Sequence, residues 1–146
     1  DSAGAVTRLV DMGIEPFLVA SSVNVILAQR LIRKVCQSCK EEVKMHEEVA
    51  KELGMDEGEW KNATDNRGRG CIDCNGSGYR GRVGVFEVMP ISAAIRDMIL
   101  DRAPSSEIKR VALQEGMLSS RLDGLRKLKL GLTSAEEVLK ETALDK

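Results

Sequence analysis

Aromatic side chains are scarce in this 146-residue chain: Phe17, Trp60, Tyr79 and Phe86 are the whole set. That argues against a single-stranded nucleic-acid platform, which stacks bases on aromatic rings. No apolar run is long enough to span a membrane and no signal-peptide pattern opens the chain, so nothing points to secretion. The phosphate-loop pattern G-x-x-x-x-G-K-[ST] is missing. Gly68, Gly70, Gly76, Gly78, Gly81 and Gly84 are not followed by lysine in that arrangement, so they read as turns and strand contacts. The one histidine, His46, sits in an acidic stretch and reads as surface. No serine or cysteine stands beside a base, so nucleophilic catalysis has no visible constellation. A net charge of −1 names no partner, and 31% charged with 42% hydrophobic residues is ordinary for a globular chain of one domain or two small ones.

What is present is a pair of cysteine doublets, Cys36-Gln37-Ser38-Cys39 and Cys71-Ile72-Asp73-Cys74, which hold all four cysteines. Two residues between thiols let a tight knuckle aim both sulfurs at one ion, and two knuckles complete a closed Cys₄ site, the coordination of structural zinc. Disulfides, with three possible connectivities, and a redox pair are the other readings. The redox signature expects a thioredoxin-like βαβ context, which the pattern lacks. Glycines directly after the second doublet suit a chain that must turn with positive φ.

In chain order, residues 2–12 read as a helix capped by Ser2, with Val6, Leu9 and Val10 on one face and Gly13 at its end. Pro16 suits the first turn of a second helix carrying Phe17, Ala20, Val23, Ile26 and Leu27 on one side. Residues 28–35 suit a strand that enters the first doublet. Arg30, Arg33, Lys34 and Lys40 make this entry basic, either a solvated face or a contact with phosphate or an acidic partner. Residues 41–65 carry nine acids against three bases, with Met45, Val49 and Leu53 spaced for a short amphipathic helix ended by Gly54. Trp60 is expected to pack over the metal lobe, and residues 66–70 to form a turn. Val83–Met89 is the best strand, ended by Pro90 and expected to pair antiparallel with residues 28–35, making the metal lobe an elaborated hairpin tip. Helices follow: one capped by Ser92 with Ile95, Met98 and Ile99 inward, one opened by Ser105, and one marked by Leu118, Leu122 and Leu125 and ended by Gly131. The last is capped by a Thr133–Glu136 box. The pattern is α+β and mostly helical.

Several stretches together resemble the bacterial secretion ATPase superfamily, and within it the type IV pilus assembly (extension) ATPase and type II secretion ATPase family. They are Asp1-Ser2-Ala3-Gly4-Ala5-Val6-Thr7-Arg8-Leu9-Val10-Asp11-Met12-Gly13, then Ala20-Ser21-Ser22-Val23-Asn24-Val25-Ile26-Leu27-Ala28-Gln29-Arg30-Leu31. The C-x-x-C…C-x-x-C lobe and Gly81-Arg82-Val83-Gly84-Val85-Phe86-Glu87-Val88 come next, and residues 115–142 match the helical tail. The resemblance covers nearly the whole chain. It implies the C-terminal part of a RecA-like motor domain. Residues 1–35 would end the ATPase core, 36–80 would form the tetracysteine zinc-binding lobe, 81–90 the return strand and 91–146 a helical subdomain.

The resemblance further implies a cytoplasmic hexamer at the inner face of the inner membrane. There it would turn ATP hydrolysis into movement of a membrane platform protein, without nucleic acid. The phosphate loop, magnesium carboxylates and histidine box would lie upstream, so ATP and Mg²⁺ belong to the parent protein and this piece alone is expected to be inactive. Zn²⁺ would be held by Cys36, Cys39, Cys71 and Cys74, and Gln29 and Arg30 would lie near the nucleotide pocket. Ala94-Ile95-Arg96-Asp97-Met98-Ile99-Leu100 resembles a helix of the retraction motors. Asp97, Met98 and the cysteine lobe depart from those, which favours extension. Arg96 is then a residue of motor output or of a salt bridge between subdomains. Rivals are a zinc-finger module of J-domain co-chaperones and a nucleic-acid zinc ribbon. The first fails where Lys40-Glu41-Glu42 follows the first doublet without glycines; the second meets an acidic insert.

Overall fold

The computed structural model describes residues 1–143 and Asp145. It is an α+β structure that divides into two compact units. The first comprises Asp1–Gln29 and Phe86–Ser119, the second Arg30–Val85 and Ser120–Asp145. Two long strands, β1 (Val25–Val35) and β4 (Tyr79–Pro90), are hydrogen-bonded neighbours, and each contributes residues to both units. Their direction is antiparallel: Ile91 donates to the Asn24 carbonyl at one end and Cys36 to the Gly78 carbonyl at the other, both at 2.9 Å.

In the first unit, α1 (Ser2–Asp11) is capped by Asp1, whose carboxylate accepts from the Gly4 amide at 2.7 Å. Ser2, expected to cap, is instead fully buried. Its amide and hydroxyl both donate to the buried Glu87 carboxylate, at 2.9 and 2.5 Å. Pro16 opens α2 (Pro16–Ser22) as its spacing predicts, but the helix stops there. Val23, Val25 and Ile26 are β-branched and lose χ1 freedom in a helix, so the chain goes extended and Ile26 and Leu27 lie on β1. Phe17 is exposed, and Val19 and Ala20 face inward. Ser92 caps α5 (Ala93–Leu100), accepting from the Ile95 amide, and α6 (Ser105–Gln114) starts directly after Pro104. Val6, Val19, Met89, Ile91, Ile95, Ile99 and Ile108 form this unit's core.

In the second unit, β2 (Lys40–Lys44) pairs antiparallel with β3 (Thr64–Gly68), Lys40 opposite Gly68 and Lys44 opposite Thr64. This ribbon replaces the turn expected at 66–70. Between the strands lie α3 (Glu47–Leu53), ended by Gly54 in the left-handed region, and α4 (Glu57–Lys61). Met45 and Leu53 are buried as their spacing predicts. Trp60 packs with them, and its indole N–H donates to the Met45 carbonyl at 3.2 Å. On α7 (Ser120–Lys129) the buried face is Arg121, Gly124, Leu125 and Leu128, while Leu118 and Leu122 are exposed. The cap of α8 (Ala135–Glu141) is shifted by one residue: Ser134 accepts from the Glu137 amide, and the Thr133 hydroxyl donates to the Arg33 carbonyl. The second core joins Met45, Ala50, Leu53 and Met55 to Leu125, Leu128, Ala135 and Val138.

Candidate metal centre

The second doublet folds as the spacing dictates. Cys71 is extended, Ile72–Cys74 make one 3₁₀ turn, and Asn75 and Gly76 carry the chain back with φ of 54° and 77°. The Cys71 and Gly78 amides both donate to the Cys74 thiol sulfur, at 3.2 Å. Gly70 donates likewise to Cys39 at 3.4 Å. Backbone closure then joins the knuckles, because Cys36 donates to the Gly78 carbonyl and Arg69 to the Cys39 carbonyl.

All four sulfurs lie within 4.8 Å of one another. The Cys36–Cys71 and Cys71–Cys74 separations are 3.8 Å, and Cys39–Cys74 is 3.9 Å. A disulfide needs about 2.05 Å, so these are four free thiols. A tetrahedron with metal–sulfur bonds of about 2.3 Å has edges of about 3.8 Å. The group can therefore hold a metal ion, and its donor chemistry and spacing fit zinc. Cys36 and Cys74 are buried, Cys39 and Cys71 half-buried.

The protonation tendencies differ between thiols. Burial pushes Cys39 up to about 11, with only the Gly70 amide opposing it. Burial also works against ionisation of Cys74, but donation from Cys71 and Gly78 overrides it and brings that thiol down to about 6. Cys36 is likewise lowered despite burial, through the Ser38 and Cys39 amides. Amides aimed at sulfur favour the thiolate, the form that ligates metal.

One glycine pair makes this closure possible. A Cβ on Gly68 would sit 2.1 Å from the Gly78 carbonyl oxygen, and one on Gly78 would sit 2.6 Å from that of Gly68. Both clashes are with backbone, and Gly78 also has a φ of +81°. Gly78→Ala is expected to cost about 3 kcal/mol, measured by urea unfolding. Gly76→Ala, whose Cβ meets nothing within 4 Å, carries only the positive-φ cost of about 1 kcal/mol. Equal losses in the two variants would refute the close-approach argument.

The lobe is stitched to the turn between α7 and α8. The buried Asn66 amide donates to the Leu128 and Thr133 carbonyls at 2.8 and 3.0 Å. Gln37 and Lys40, which flank Cys39, both reach the Gly131 carbonyl at 3.3 Å. Val35 donates to Leu132 at 2.9 Å. The carbonyls of the turn that follows α7 thus find partners on the cysteine lobe, which braces that turn.

The other residues singled out in the sequence lie apart from this cluster. Gln29 and Arg30 are exposed on β1, and the Arg30 guanidinium stands 4.0 Å from Glu141. His46 is exposed. Arg96 donates to the Ala20 carbonyl and, at 3.4 Å, to the Asn24 side chain. It thus ties α5 to the α2–β1 junction within the first unit. Two features had no sequence signal: Glu87 holding Ser2, and Glu137 holding Arg33. Both are buried carboxylates at alternating or capping positions that look like surface in a charged chain.

Four thiols on two knuckles, set in a small α+β scaffold, define a protein with a lobe that can hold a metal ion. Sequence comparison gives the family: the type II/IV secretion system protein family matches residues 1–140, and the chain belongs to it. It is 43% identical over its whole length to the type IV pilus assembly ATPase PilB of Myxococcus xanthus, covering 26% of that protein. It is 42% identical to the PilB of Thermus thermophilus over 97% of the chain and 16% of that protein. To the type II secretion system protein E of Pseudomonas aeruginosa it is 45% identical over 95% of the chain and 27% of that protein. The chain thus spans roughly a quarter or less of these relatives' length. Among the described residues, no helix is long and apolar enough to cross a membrane.

Proposed function

We propose that this chain is the C-terminal part of a hexameric motor ATPase that powers pilus extension or type II secretion. The observation that carries the reading is identity of about 40% and above, spread over nearly the whole chain, with relatives bearing those names. In this reading residues 1–35 end a RecA-like core, 36–80 are the metal lobe, 81–90 the return strand and 91–146 the helical subdomain. Cys36, Cys39, Cys71 and Cys74 hold Zn²⁺. A closed four-thiolate shell leaves no position for water, so the ion supplies structure and no chemistry. Gln29 and Arg30, exposed on β1, lie near the nucleotide pocket of the assembled motor. ATP and Mg²⁺ bind the parent protein, which works in the cytoplasm against an inner-membrane platform protein.

Deleting the parent gene tests this reading. Loss of surface pili, or of secreted enzymes from the medium, is the expected outcome; a strain that keeps both overturns it. The chain alone is expected to give no phosphate release above buffer with Mg²⁺-ATP, because no phosphate cradle is present in its sequence. Measurable turnover would contradict the assignment of catalysis to the parent. Elemental analysis should find one zinc per chain.

A further inference from the structure

The α3–α4 hairpin carries a groove that neither the metal centre nor the motor reading uses. It holds about 310 Å³ and is lined by Glu47, Ala50, Lys51, Met55, Asp56, Glu57 and Trp60. Ala50 and Met55 are buried, and Trp60 is half-buried with its indole N–H fixed on the Met45 carbonyl. The floor is therefore apolar and aromatic, and it is held in place from below. The rim is acidic. Residues 47–61 hold six carboxylates, those of Glu47, Glu48, Glu52, Asp56, Glu57 and Glu59, against Lys51 and Lys61. Both lysines are already engaged within their own helices: Lys51 with Glu47 at 3.4 Å and Lys61 with Glu57 at 3.2 Å. Those exposed pairs are weak, and a better-placed cation can displace them.

We propose that this groove docks a partner protein through a segment bearing arginine or lysine. Charge complementarity selects the sign. The floor selects the kind of cation: an inorganic ion gains nothing from Met55 and Trp60, whereas a long basic side chain lays its methylenes on an apolar floor and its charge against an indole and carboxylates. A single-anchor groove binds weakly and with strong salt dependence, as suits a contact made and broken in a working assembly. The proposal does not depend on the motor reading; it needs only the folded lobe that carries α3 and α4.

Trp60 is the only tryptophan in the chain, so its fluorescence reads the groove directly. The probe is a capped nonapeptide with two arginines among leucines and alanines, titrated into the whole chain in low salt. The controls are the same peptide with both arginines replaced by norleucine, and a Glu47→Lys, Glu57→Lys double variant whose circular dichroism matches wild type. The expected result is a saturable Trp60 shift that weakens about tenfold in the double variant and with the norleucine peptide. It should also fade as salt rises to about 0.5 M. Equal affinity for the uncharged peptide, equal affinity in the double variant, or no shift at millimolar peptide would overturn the proposal. So would a Trp60 shift that tracks chain concentration alone with dimers in sedimentation, which assigns the groove to a second copy.

Discussion

Replacing Cys71 by serine is expected to abolish zinc binding and to unfold the lobe from Cys36 to Arg80. Structural zinc contributes on the order of 10 kcal/mol in small modules, more than a lobe of this size can recover by packing. The ribbon beside the cysteines brings little apolar support: β2 and β3 read Lys-Glu-Glu-Val-Lys and Thr-Asp-Asn-Arg-Gly, and neither could build a core. The loss has a predicted boundary. Asn66, Gln37 and Lys40 satisfy carbonyls of Leu128, Gly131 and Thr133, so amide protection should fall there too. It should persist in α1, α5 and α6, which share a separate core of Val6, Ile95, Ile99 and Ile108. Hydrogen exchange read by mass spectrometry checks the pattern. Adding a strong chelator to the wild-type chain should reproduce it. Unchanged protection across residues 36–80 in Cys71→Ser would remove the zinc reading, and exchange confined to the lobe would remove the bracing role assigned to it.

The sequence exposed the metal cluster because cysteine spacing is a local constraint: two residues between thiols fix a knuckle whatever surrounds it. The capping serine of α5, the glycine ending α3 and the proline opening α2 were legible for the same reason, each acting within one turn of chain. What was hidden depends on neighbours distant in sequence. The β2–β3 ribbon has residues poor in strand propensity; it forms because the knuckles bring Lys40 and Gly68 face to face. Of the leucines that mark α7 in the sequence only Leu125 is buried, because Gly124 has to face inward: its missing Cβ would lie 3.0 Å from Val138. Thr133 lost its capping role to Ser134 because its hydroxyl is taken by the Arg33 carbonyl, a hundred residues away in the chain.

Glu137→Gln is expected to be among the costliest substitutions outside the cysteine cluster, and its cost should depend on pH. Glu137 is 2% exposed and accepts two hydrogen bonds from Arg33, beside an ion-pair contact with the same guanidinium. The Arg33 amide reaches Oε2 at 2.9 Å, its Nε reaches Oε1 at 2.9 Å, and its Nη2 approaches the same oxygen at 2.7 Å. The guanidinium also stacks 4.1 Å over the Tyr79 ring, whose hydroxyl bonds Ser134 at 2.7 Å. One carboxylate thus holds β1, β4 and α8 together. Glutamine keeps the shape but presents an N–H₂ group to donors and removes the charge, a loss of about 3 kcal/mol. Burial alone would raise the Glu137 pKa; the Arg33 side chain and amide override it, so the net shift is downward. A carboxylate whose folded pKa is depressed contributes stability that is complete above its unfolded value, about 4.3. That contribution is lost as pH falls through the lower folded value. The gap between wild type and Glu137→Gln in urea unfolding should therefore be full at pH 7 and narrow steadily below about pH 4. Arg33→Ala, which strands the buried charge, should cost at least as much at pH 7 and become less damaging in acid, since protonation relieves the uncompensated carboxylate. A gap that stays constant from neutral pH to acid would show that Glu137 contributes by its shape and not by its charge.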